Sequence, residues 1–261
     1  MIPFFKYHGA GNDFVLIDNR ENIFNIDNQY IKNICHRHTG IGADGLILLN
    51  RSTVNHIDFN MQYFNADGFE GTMCGNGGRC VVAFAYYLKI IGKKTVFQGI
   101  DGIHHAEILA VNKNIIRVNL QMTDVDTFQP YQKGYFLNTG SPHAVLFQDN
   151  VGNFDVFNEG KKIRFDKFFP NGTNVDFVEK RKDALFVRTF ERGVEDETLS
   201  CGTGVTASAL AWAIANNIIE SPINIQTLGG DFIVRFHRQD KHFSEIWLEG
   251  DTCQVFEGKL S

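Results

Sequence analysis

The sequence predicts a protein of two related domains, each rich in β-strands and each containing one buried helix. The chain has 261 residues, 43% of them hydrophobic, which is enough for one large or two smaller cores. Alternating apolar and polar residues, typical of half-buried strands, recur along both halves. Two Cys-Gly-X-Gly turns, "CGNG" at residues 74–77 and "CGTG" at 201–204, each precede an apolar run of helical length.

Strand patterns dominate the first half. "FFKYH", "DFVLID" and "GLILL" are short apolar segments, and in "HIDFNMQYF" every second residue from Ile57 to Tyr63 is apolar. A helix is expected from about residue 28 to a cap at Gly40. A loop rich in Gly, Asn and Asp over residues 65–78 leads to the apolar helix "RCVVAFAYYLKII". Further strands are expected near residues 95–98, 105–111 and 115–120.

The second half repeats this order. Strands near residues 134–138 and 144–147, then "VDFVEK" and "ALFVRTF", precede the loop "ERGVEDETLSCGTG" and the helix "VTASALAWAIANNII". "GAGNDFVLI" at residues 9–17 aligns with "NGTNVDFVE" at 171–179, and the two cysteine loops align as well. This alignment matches Asn12 with Asn174. Because Cys74 lies 62 residues after Asn12 but Cys201 only 27 after Asn174, it predicts a large insertion in the first copy.

Composition and charge exclude several classes of protein. The formal net charge is -5, with acidic and basic residues interspersed, which disfavours nucleic acid and anionic membranes and favours a small-molecule partner. The start of the chain lacks a secretory signal and no apolar run reaches membrane-spanning length, so we expect a cytoplasmic protein. Five cysteines, an odd number, do not suggest structural disulfides, and "CHRH" at residues 35–38 lacks the second pair that a zinc site requires.

The paired cysteine turns suggest a chemistry. Glycines let the backbone turn tightly at a helix start, where amide groups and the helix dipole favour a carboxylate and lower the pKa of a thiol. One such turn is typical of a nucleophilic or redox cysteine. Two turns from matched domains suggest inversion of a stereocentre, in which one sulfur removes a proton from one face of a carbon and the other delivers a proton to the opposite face.

Five ordered motifs then resemble the diaminopimelate epimerase family. They are "FFKYHGAGNDFVLID", "NADGFEGTMCGNGGRC", "NTGSPHAV", "GTNVDFVE" and "ERGVEDETLSCGTG", and the closing "EGDTCQVFEG" is also similar. The resemblance implies a cofactor-independent enzyme that interconverts LL- and meso-diaminopimelate in lysine and peptidoglycan precursor synthesis. It implies an α+β fold of two pseudo-symmetric domains, residues 1–120 with 249–261 and residues 121–248. In each domain a curved, barrel-like mixed or antiparallel sheet wraps a central helix, and the active site lies in the interdomain cleft.

The resemblance also implies roles for individual residues. Cys74 and Cys201 are the acid–base pair, and the backbone amides of the residues that follow them hold the reacting carboxylate: Gly75, Asn76, Gly202 and Thr203. The other residues expected to bind substrate are Asn12, Asn65, Asn174, Glu191 and Arg192, where Arg192 suits a distal carboxylate and Glu191 an amine. His143, together with Glu191, supports the thiols. No metal, pyridoxal phosphate or nucleotide is implied, and a homodimer stays an open alternative.

Two positions depart from the commoner family pattern. Gly45 stands where many members have Gln, and Ser141 stands where many have Asn. The loop from Glu191 to Cys201 is also one residue longer than the commoner form. The change at Gly45 removes a side chain expected to line the site, and the change at Ser141 replaces a substrate-binding amide with a hydroxyl.

Three other functions stay open from the residues. A proline or hydroxyproline racemase uses the same pair of thiols but does not need Arg192 and three asparagines for a second amino-acid head. A redox protein could form a disulfide between Cys74 and Cys201, although the Cys-X-X-Cys motif typical of that class is missing from the sequence. A binding protein without turnover needs no second cysteine.

Overall fold

The computed structural model describes residues 1–24, 27–71 and 74–260, and the chain divides into two compact units. Unit 1 is Met1–Leu120 with Gly250–Ser261, and unit 2 is Gln121–Glu249. The loop expected over residues 65–78 includes Thr72 and Met73, which lie outside the described residues. Among the described residues, no helix is long and apolar enough to cross a membrane.

Unit 1 is an eight-stranded barrel closed by the last strand of the chain. Its strands are β1 Ile2–Gly9, β2 Asn12–Asp18, β3 Gly45–Arg51, β4 Phe59–Asn65, β5 Lys94–Gly99, β6 Gly102–Asn112, β7 Ile115–Gln121 and the C-terminal part of β16 His242–Leu260. They pair in this order, and β16 pairs with β1. Two pairs are parallel, β2 with β3 and β4 with β5, and their connections carry helices α1 Asn28–Cys35 and α2 Gly75–Tyr87.

Helix α2 forms the centre of unit 1. Its residues from Gly75 to Ala85 are all buried, and the helix contacts β1, β2, β3, β4 and β6. A predominantly apolar helix of this kind is stable when the surrounding strands enclose it. The barrel therefore fixes the position of Cys74, the residue that precedes the helix.

Unit 2 repeats the architecture with its own central helix. Its elements are β8 Phe128–Tyr131, β9 Gly134–Asn138, β10 Pro142–Phe147, a short 3₁₀ helix Val151–Asn153, α3 Val156–Arg164, β11 Asn174–Lys180, β12 Leu185–Glu191, β13 Asp196–Thr198, α4 Gly202–Ala215, β14 Ile223–Gln226, β15 Asp231–Gln239 and the start of β16. The sheet order is β16-β15-β14-β12-β11-β10-β9-β8, with β13 on β12. Helix α4 packs against β9, β10, β11, β12 and β15. These two units confirm the predicted α+β class and its pseudo-symmetry.

The topology corrects the alignment of the two halves. In unit 1 a parallel pair joined through α1 aligns Phe14 with Gly45, and in unit 2 the parallel pair joined through α3 aligns His143 with Asn174. Strand β3 is therefore the counterpart of β11, and β2 the counterpart of β10. Asn174 corresponds to Gly45 rather than to Asn12.

The predicted insertion in the first copy is wrong for the same reason. Cys74 lies 29 residues after Gly45, and Cys201 lies 27 residues after Asn174, so the equivalent segments have nearly equal lengths. Strands β2 and β11 share the string Asp-Phe-Val, and both are largely buried strands that pair in parallel with a neighbour. The alignment of residues 9–17 with residues 171–179 therefore reflects this shared string, and the two segments do not occupy equivalent positions in the two units.

Most predicted strands are confirmed, whereas helix boundaries differ. Helix α1 begins at Asn28, with Asp27 as its N-cap, but ends at Cys35 because His36 is already extended at φ -66° and ψ 121°. Helix α2 begins at Gly75 rather than at Arg79, since the glycines after Cys74 are part of its first turn. Helix α3, which the sequence pattern does not predict, is amphipathic and packs on β11 and β12.

Candidate active site

Both cysteines of the Cys-Gly-X-Gly turns are N-cap residues of the central helices. Cys74 precedes α2 with φ -97° and ψ 131°, and Cys201 precedes α4 with φ -126° and ψ 115°. The first bonds of each helix run from Gly78 N to Cys74 O at 2.7 Å and from Val205 N to Cys201 O at 2.8 Å. The amides between them belong to the first turn, where a helix has no internal acceptors for its N–H groups. Each thiol thus lies beside donors suited to an anion, as the sequence predicts.

The first cysteine cluster consists of Asn12, Cys74 and Asn76. Cys74 Sγ donates to Asn12 Oδ1 at 3.4 Å, and Asn76 Nδ2 donates to the same oxygen at 3.4 Å. Asn12 Nδ2 in turn donates to Asp44 Oδ2 at 2.7 Å. The structure therefore brings together three of the residues expected in the site, with Asp44 behind them.

A buried arginine side chain contacts this cluster. Arg79 is fully buried in α2, where its Nη2 donates to Asn76 Oδ1 at 2.7 Å and its Nη1 to Gly75 O at 3.2 Å. Burial lowers the pKa of the Arg79 guanidinium, and the nearby Cys80 and Cys74 thiols raise it by less. A positive charge at this position favours negative charge on any group held by the amides of α2.

The second cysteine cluster consists of Cys201, Thr203, His143 and Asp176. Thr203 Oγ1 lies 3.4 Å from Cys201 Sγ and 2.9 Å from His143 Nε2. His143 Nδ1 lies 2.7 Å from Asp176 Oδ2, and both side chains are fully buried. Thr139 Oγ1 donates to the backbone oxygen of Thr203 at 2.9 Å and holds the first turn of α4 in place.

Asn174 connects this cluster to the loop that carries Arg192. Its Nδ2 donates to Ser141 Oγ at 2.8 Å and to Pro142 O at 2.9 Å, and its Oδ1 accepts from Arg192 N at 2.8 Å. The Arg192 guanidinium donates to Asn171 O at 3.3 Å. Asn174 is therefore held on both polar atoms and fixes the backbone that leads to Arg192.

Asn65 and Glu191 occupy the corresponding ends of β4 and β12. Asn65 pairs with Gly45 across β3 and β4, and Glu191 directly follows Phe190, the partner of Val175 in β11. Asn65 is exposed, and its backbone closes a turn through bonds with Phe69 and Gly68, both at 2.9 Å. Each side chain lies at the strand end that leads into a cysteine loop.

Burial changes the chemistry expected of Cys201. Burial raises the pKa of this thiol well above its ordinary value, and the nearby carboxylates of Glu191 and Asp176 raise the pKa further. Hydrogen bonds from Thr203 and from the Gly204 amide lower it, but by less. The prediction that a helix N-terminus would lower the pKa of this thiol is wrong for Cys201, because desolvation of the anion outweighs the helix amides.

The remaining cysteines are separate from the two clusters. All five cysteines are free thiols. Cys35 and Cys80 are buried, and burial raises the pKa of Cys35 to about 11. Cys253 is half-buried on β16 and accepts from Asn114 Nδ2 at 3.1 Å.

With this geometry established, comparison with known proteins identifies the family. A model of the family described as diaminopimelate epimerase matches residues 4–127 and 135–252. The chain belongs to the diaminopimelate epimerase family.

Curated relatives of the same name match over nearly their whole length. A diaminopimelate epimerase from Flavobacterium psychrophilum is 50% identical over 256 residues, which cover 97% of this chain and 98% of that protein. One from Chlorobaculum tepidum is 44% identical, with 97% and 99% covered.

Solved structures of lower identity share the fold. A phenazine biosynthesis protein of the PhzF family from Bacillus anthracis has a TM-score of 0.76 at 16% identity and covers 100% of this chain and 99% of its own. A hydroxyproline epimerase from Agrobacterium vitis has a TM-score of 0.74 at 13% identity, with 98% and 91% covered. At such identities the likeness extends to the fold alone.

The two departures from the commoner family pattern have a structural setting. A Cβ at Gly45 would lie 2.5 Å from Phe64 O and 2.5 Å from the ring of Tyr63, so the backbone and this ring leave no space for a side chain there. Ser141 is the counterpart of Asn12 in unit 2, and its hydroxyl accepts from Asn174. In this member of the family, Ser141 holds Asn174 in place.

Sequence reasoning missed several residues that support the clusters. Arg79, Asp44 and Asp176 contact residues expected in the site, and the side chain of Thr203, not only its amide, lies between Cys201 and His143. The signal for Arg79 was a charged residue inside an otherwise apolar helix, since such a residue is buried only when it is paired. Asp44 and Asp176 gave no comparable signal, because the pairing of distant strands brings them to the clusters.

Proposed function

We propose that this chain is a diaminopimelate epimerase that interconverts LL- and meso-diaminopimelate without a cofactor, and that Cys74 and Cys201 are its two acid–base groups. The observation that carries the proposal is that the two cysteines occupy the N-cap positions of the central helices in two similar units, in a chain of this family. Inversion of a carbon requires one group on each face, and two equivalent thiols meet that need.

In the proposed reaction, one sulfur starts as a thiolate and the other as a thiol. The thiolate takes the α-proton, the electron pair of the C–H bond remains on the α-carbon, and the thiol delivers its proton to the opposite face. The two sulfurs end with their states exchanged, so the reverse reaction uses the same pair. Both sulfurs must therefore reach the same carbon when substrate is bound.

The first-turn amides of α2 and α4 are proposed to bind the α-carboxylate. They belong to Gly75 and Asn76 in one helix and to Gly202 and Thr203 in the other. Charge that develops on the carbanion spreads into this carboxylate, and donors fixed before the reaction stabilise it without reorganisation. Each such donor typically contributes roughly 3 to 4 kcal/mol to transition-state stabilisation.

The second amino-acid head is proposed to bind the asparagines and the Arg192 loop. Arg192 suits the distal carboxylate because a guanidinium can donate two parallel hydrogen bonds to it. Asn12, Asn65 and Asn174 contribute polar contacts, and Glu191 accepts from the distal amine. These contacts to the second amino-acid group distinguish a diaminopimelate epimerase from a proline racemase, whose substrate has only one such group.

The proposed setting is the cytoplasm, in the pathway to lysine and peptidoglycan precursors. Diaminopimelate is a small, highly charged amino acid, and its epimers are intermediates of that pathway. A homodimer is proposed as an alternative to a monomer, and sedimentation of the purified protein distinguishes the two.

The direct test incubates the purified protein with LL-diaminopimelate and separates the stereoisomers by chiral chromatography. We expect the meso isomer to form, and we expect L-proline and trans-4-hydroxy-L-proline to remain unchanged. Cys253→Ala is the matched control, because Cys253 lies outside both clusters and this variant should retain activity. Turnover of the proline substrates without turnover of diaminopimelate would overturn the assignment.

A further inference from the structure

We propose that the hydroxyl of Thr203 passes a proton between Cys201 and His143, and that Asp176 orients the histidine for this exchange. The inference deepens the proposed function, on which it rests, by naming how the second thiol loses and regains its proton. It depends on four side chains of unit 2, each in hydrogen-bond contact with the next.

Asp176 fixes the protonation pattern of His143. A carboxylate only accepts hydrogen bonds, so the contact of 2.7 Å places a proton on His143 Nδ1. The other carboxylate oxygen, Oδ1, accepts from Thr189 Oγ1 at 2.7 Å, which holds the carboxylate on both sides. In neutral His143 the lone pair is then on Nε2, the nitrogen that faces Thr203.

Thr203 connects this lone pair to the sulfur. Its Oγ1 lies 2.9 Å from His143 Nε2 and 3.4 Å from Cys201 Sγ, and a hydroxyl donates one hydrogen bond while it accepts another. With neutral His143, the hydroxyl donates to Nε2 and accepts from the Cys201 S–H. With protonated His143, Nε2–H donates to Oγ1 and the hydroxyl donates to a Cys201 thiolate.

The exchange is balanced in atoms and charge. The S–H proton moves to Thr203 Oγ1 as the original hydroxyl proton moves to His143 Nε2. Sulfur keeps the electron pair of the S–H bond and becomes a thiolate, while the imidazole becomes an imidazolium. The carboxylate of Asp176 lies next to the new positive charge, 2.7 Å from His143 Nδ1.

The charges around Cys201 explain why the thiolate needs a proton relay to His143. The charged groups that face the sulfur are Asp176 on β11 and Glu191 at the end of β12, and both oppose a second negative charge. Asn174 Nδ2 lies 3.5 Å from His143 Nε2. Because the proton stays on His143, the negative charge of the buried Cys201 thiolate forms together with the positive charge of the His143 imidazolium.

The test compares Thr203→Val, which keeps the shape of the side chain and removes the hydroxyl, with Thr203→Ser, which keeps the hydroxyl. Alkylation of Cys201 by iodoacetamide is followed against pH by mass spectrometry of its peptide, in the full-length protein. Cys80, which is fully buried, serves as the internal control for unfolding. Thr203→Ala is a second variant without the hydroxyl, and its smaller side chain fits the same half-buried position.

We expect Thr203→Val and Thr203→Ala to move the alkylation midpoint of Cys201 to higher pH, and Thr203→Ser to return most of the shift. In the same variants kcat for epimerisation should fall about 100-fold without the hydroxyl, as for loss of a proton-transfer group, while KM changes by about twofold or less. The relay would be overturned if the alkylation midpoint of Cys201 stayed unchanged in Thr203→Val and Thr203→Ala. It would also be overturned if Thr203→Ser were as impaired in kcat as Thr203→Val. If the wild-type protein leaves diaminopimelate unchanged but the midpoint still shifts, the proposed function fails and the relay stands.

Discussion

Asp44 determines which way the side-chain amide of Asn12 points. Asp44 Oδ2 accepts from Asn12 Nδ2 at 2.7 Å, and because a carboxylate cannot donate, Asn12 Oδ1 must face the other way. That oxygen faces Cys74 Sγ and Asn76 Nδ2. Arg37 Nη2 donates to Asp44 Oδ1 at 2.5 Å and keeps the carboxylate in place. Asp44, which no sequence motif marks as catalytic, thus orients the hydrogen bond between Asn12 and the thiol of Cys74.

Replacement of Asp44 should impair catalysis through Asn12. In Asp44→Ala the Asn12 amide loses the bond that fixes its orientation, worth about 1.4 kcal/mol, and kcat should fall about tenfold. Asp18→Ala is the matched control, because Asp18 also pairs with an arginine, Arg20, in the same unit but contacts neither cluster. Steady-state kinetics of both variants make the comparison, and equal activities would show that the orientation of Asn12 does not matter.

Glu191 should raise the pKa of the thiol of Cys201. Burial raises the pKa of Cys201, and the nearby charge of Glu191 raises it further, so Glu191→Gln should move the pKa of Cys201 back toward its ordinary value. Alkylation of Cys201, followed against pH, should then have its midpoint at lower pH than in the wild-type protein. Glu179→Gln, at an ion pair with Arg181 on the same sheet, should leave the midpoint unchanged. A midpoint that stays in place in Glu191→Gln would contradict this account of the electrostatics.

Asp13 should contribute to stability in a way that acid removes. Burial alone would raise the pKa of Asp13, but hydrogen bonds and charges from Arg37 and Lys6 outweigh it and lower the pKa to about 2. A folded-state pKa below the unfolded value stabilises the protein fully above about pH 5, and the stabilisation is lost as pH falls toward 2. The contribution near neutral pH is about 1 to 2 kcal/mol.

Urea denaturation of the wild-type protein and Asp13→Asn at pH 6 and pH 3 measures this effect. The difference in unfolding free energy between the two proteins should be smaller at pH 3. Asp251→Asn, which removes a partly exposed ion pair with Arg117, should cost less at pH 6. A stability difference for Asp13→Asn that does not depend on pH would argue against the ionised carboxylate as its source.

Gly204 is required by close packing against the second cysteine cluster. A Cβ at this position would lie 2.4 Å from Asp176 Oδ1 and 3.2 Å from His143 Cε1. Gly204→Ala should therefore displace the buried carboxylate, lower the unfolding free energy by about 1 to 3 kcal/mol and reduce activity. Gly92→Ala is the control, since a Cβ there meets nothing within 4 Å. Denaturant unfolding of both variants is the measurement, and equal stabilities would contradict the close packing.

The sequence predicted the parts of the site that depend on local structure. The position of each cysteine at a helix start follows from two glycines next to an apolar run, and the strands follow from alternation. Asn12, Cys74 and Asn76 do lie together. The family resemblance supplied the residues that local patterns could not have supplied, such as His143.

The features that the sequence could not predict depend on how strands that are distant in the chain pair and pack. Asn12 and Asn174 look equivalent because each precedes Asp-Phe-Val within a few residues, yet the parallel pairs show Gly45 to be the counterpart of Asn174. The pKa of Cys201 was predicted in the wrong direction because burial and the charge of Glu191 come from tertiary packing. Both errors concern relations between elements and not the elements themselves.

The most direct test of the central claim, that two different sulfurs act on one carbon, uses LL-diaminopimelate in deuterium oxide at early reaction times. If one group removes the proton and another delivers a deuteron, deuterium appears at the inverted carbon of the meso product while recovered LL substrate retains its proton. We predict this pattern for the wild-type protein, and no inversion for Cys74→Ala or Cys201→Ala. Deuterium entering the recovered LL substrate as fast as the product, or inversion by either single variant, would contradict the account.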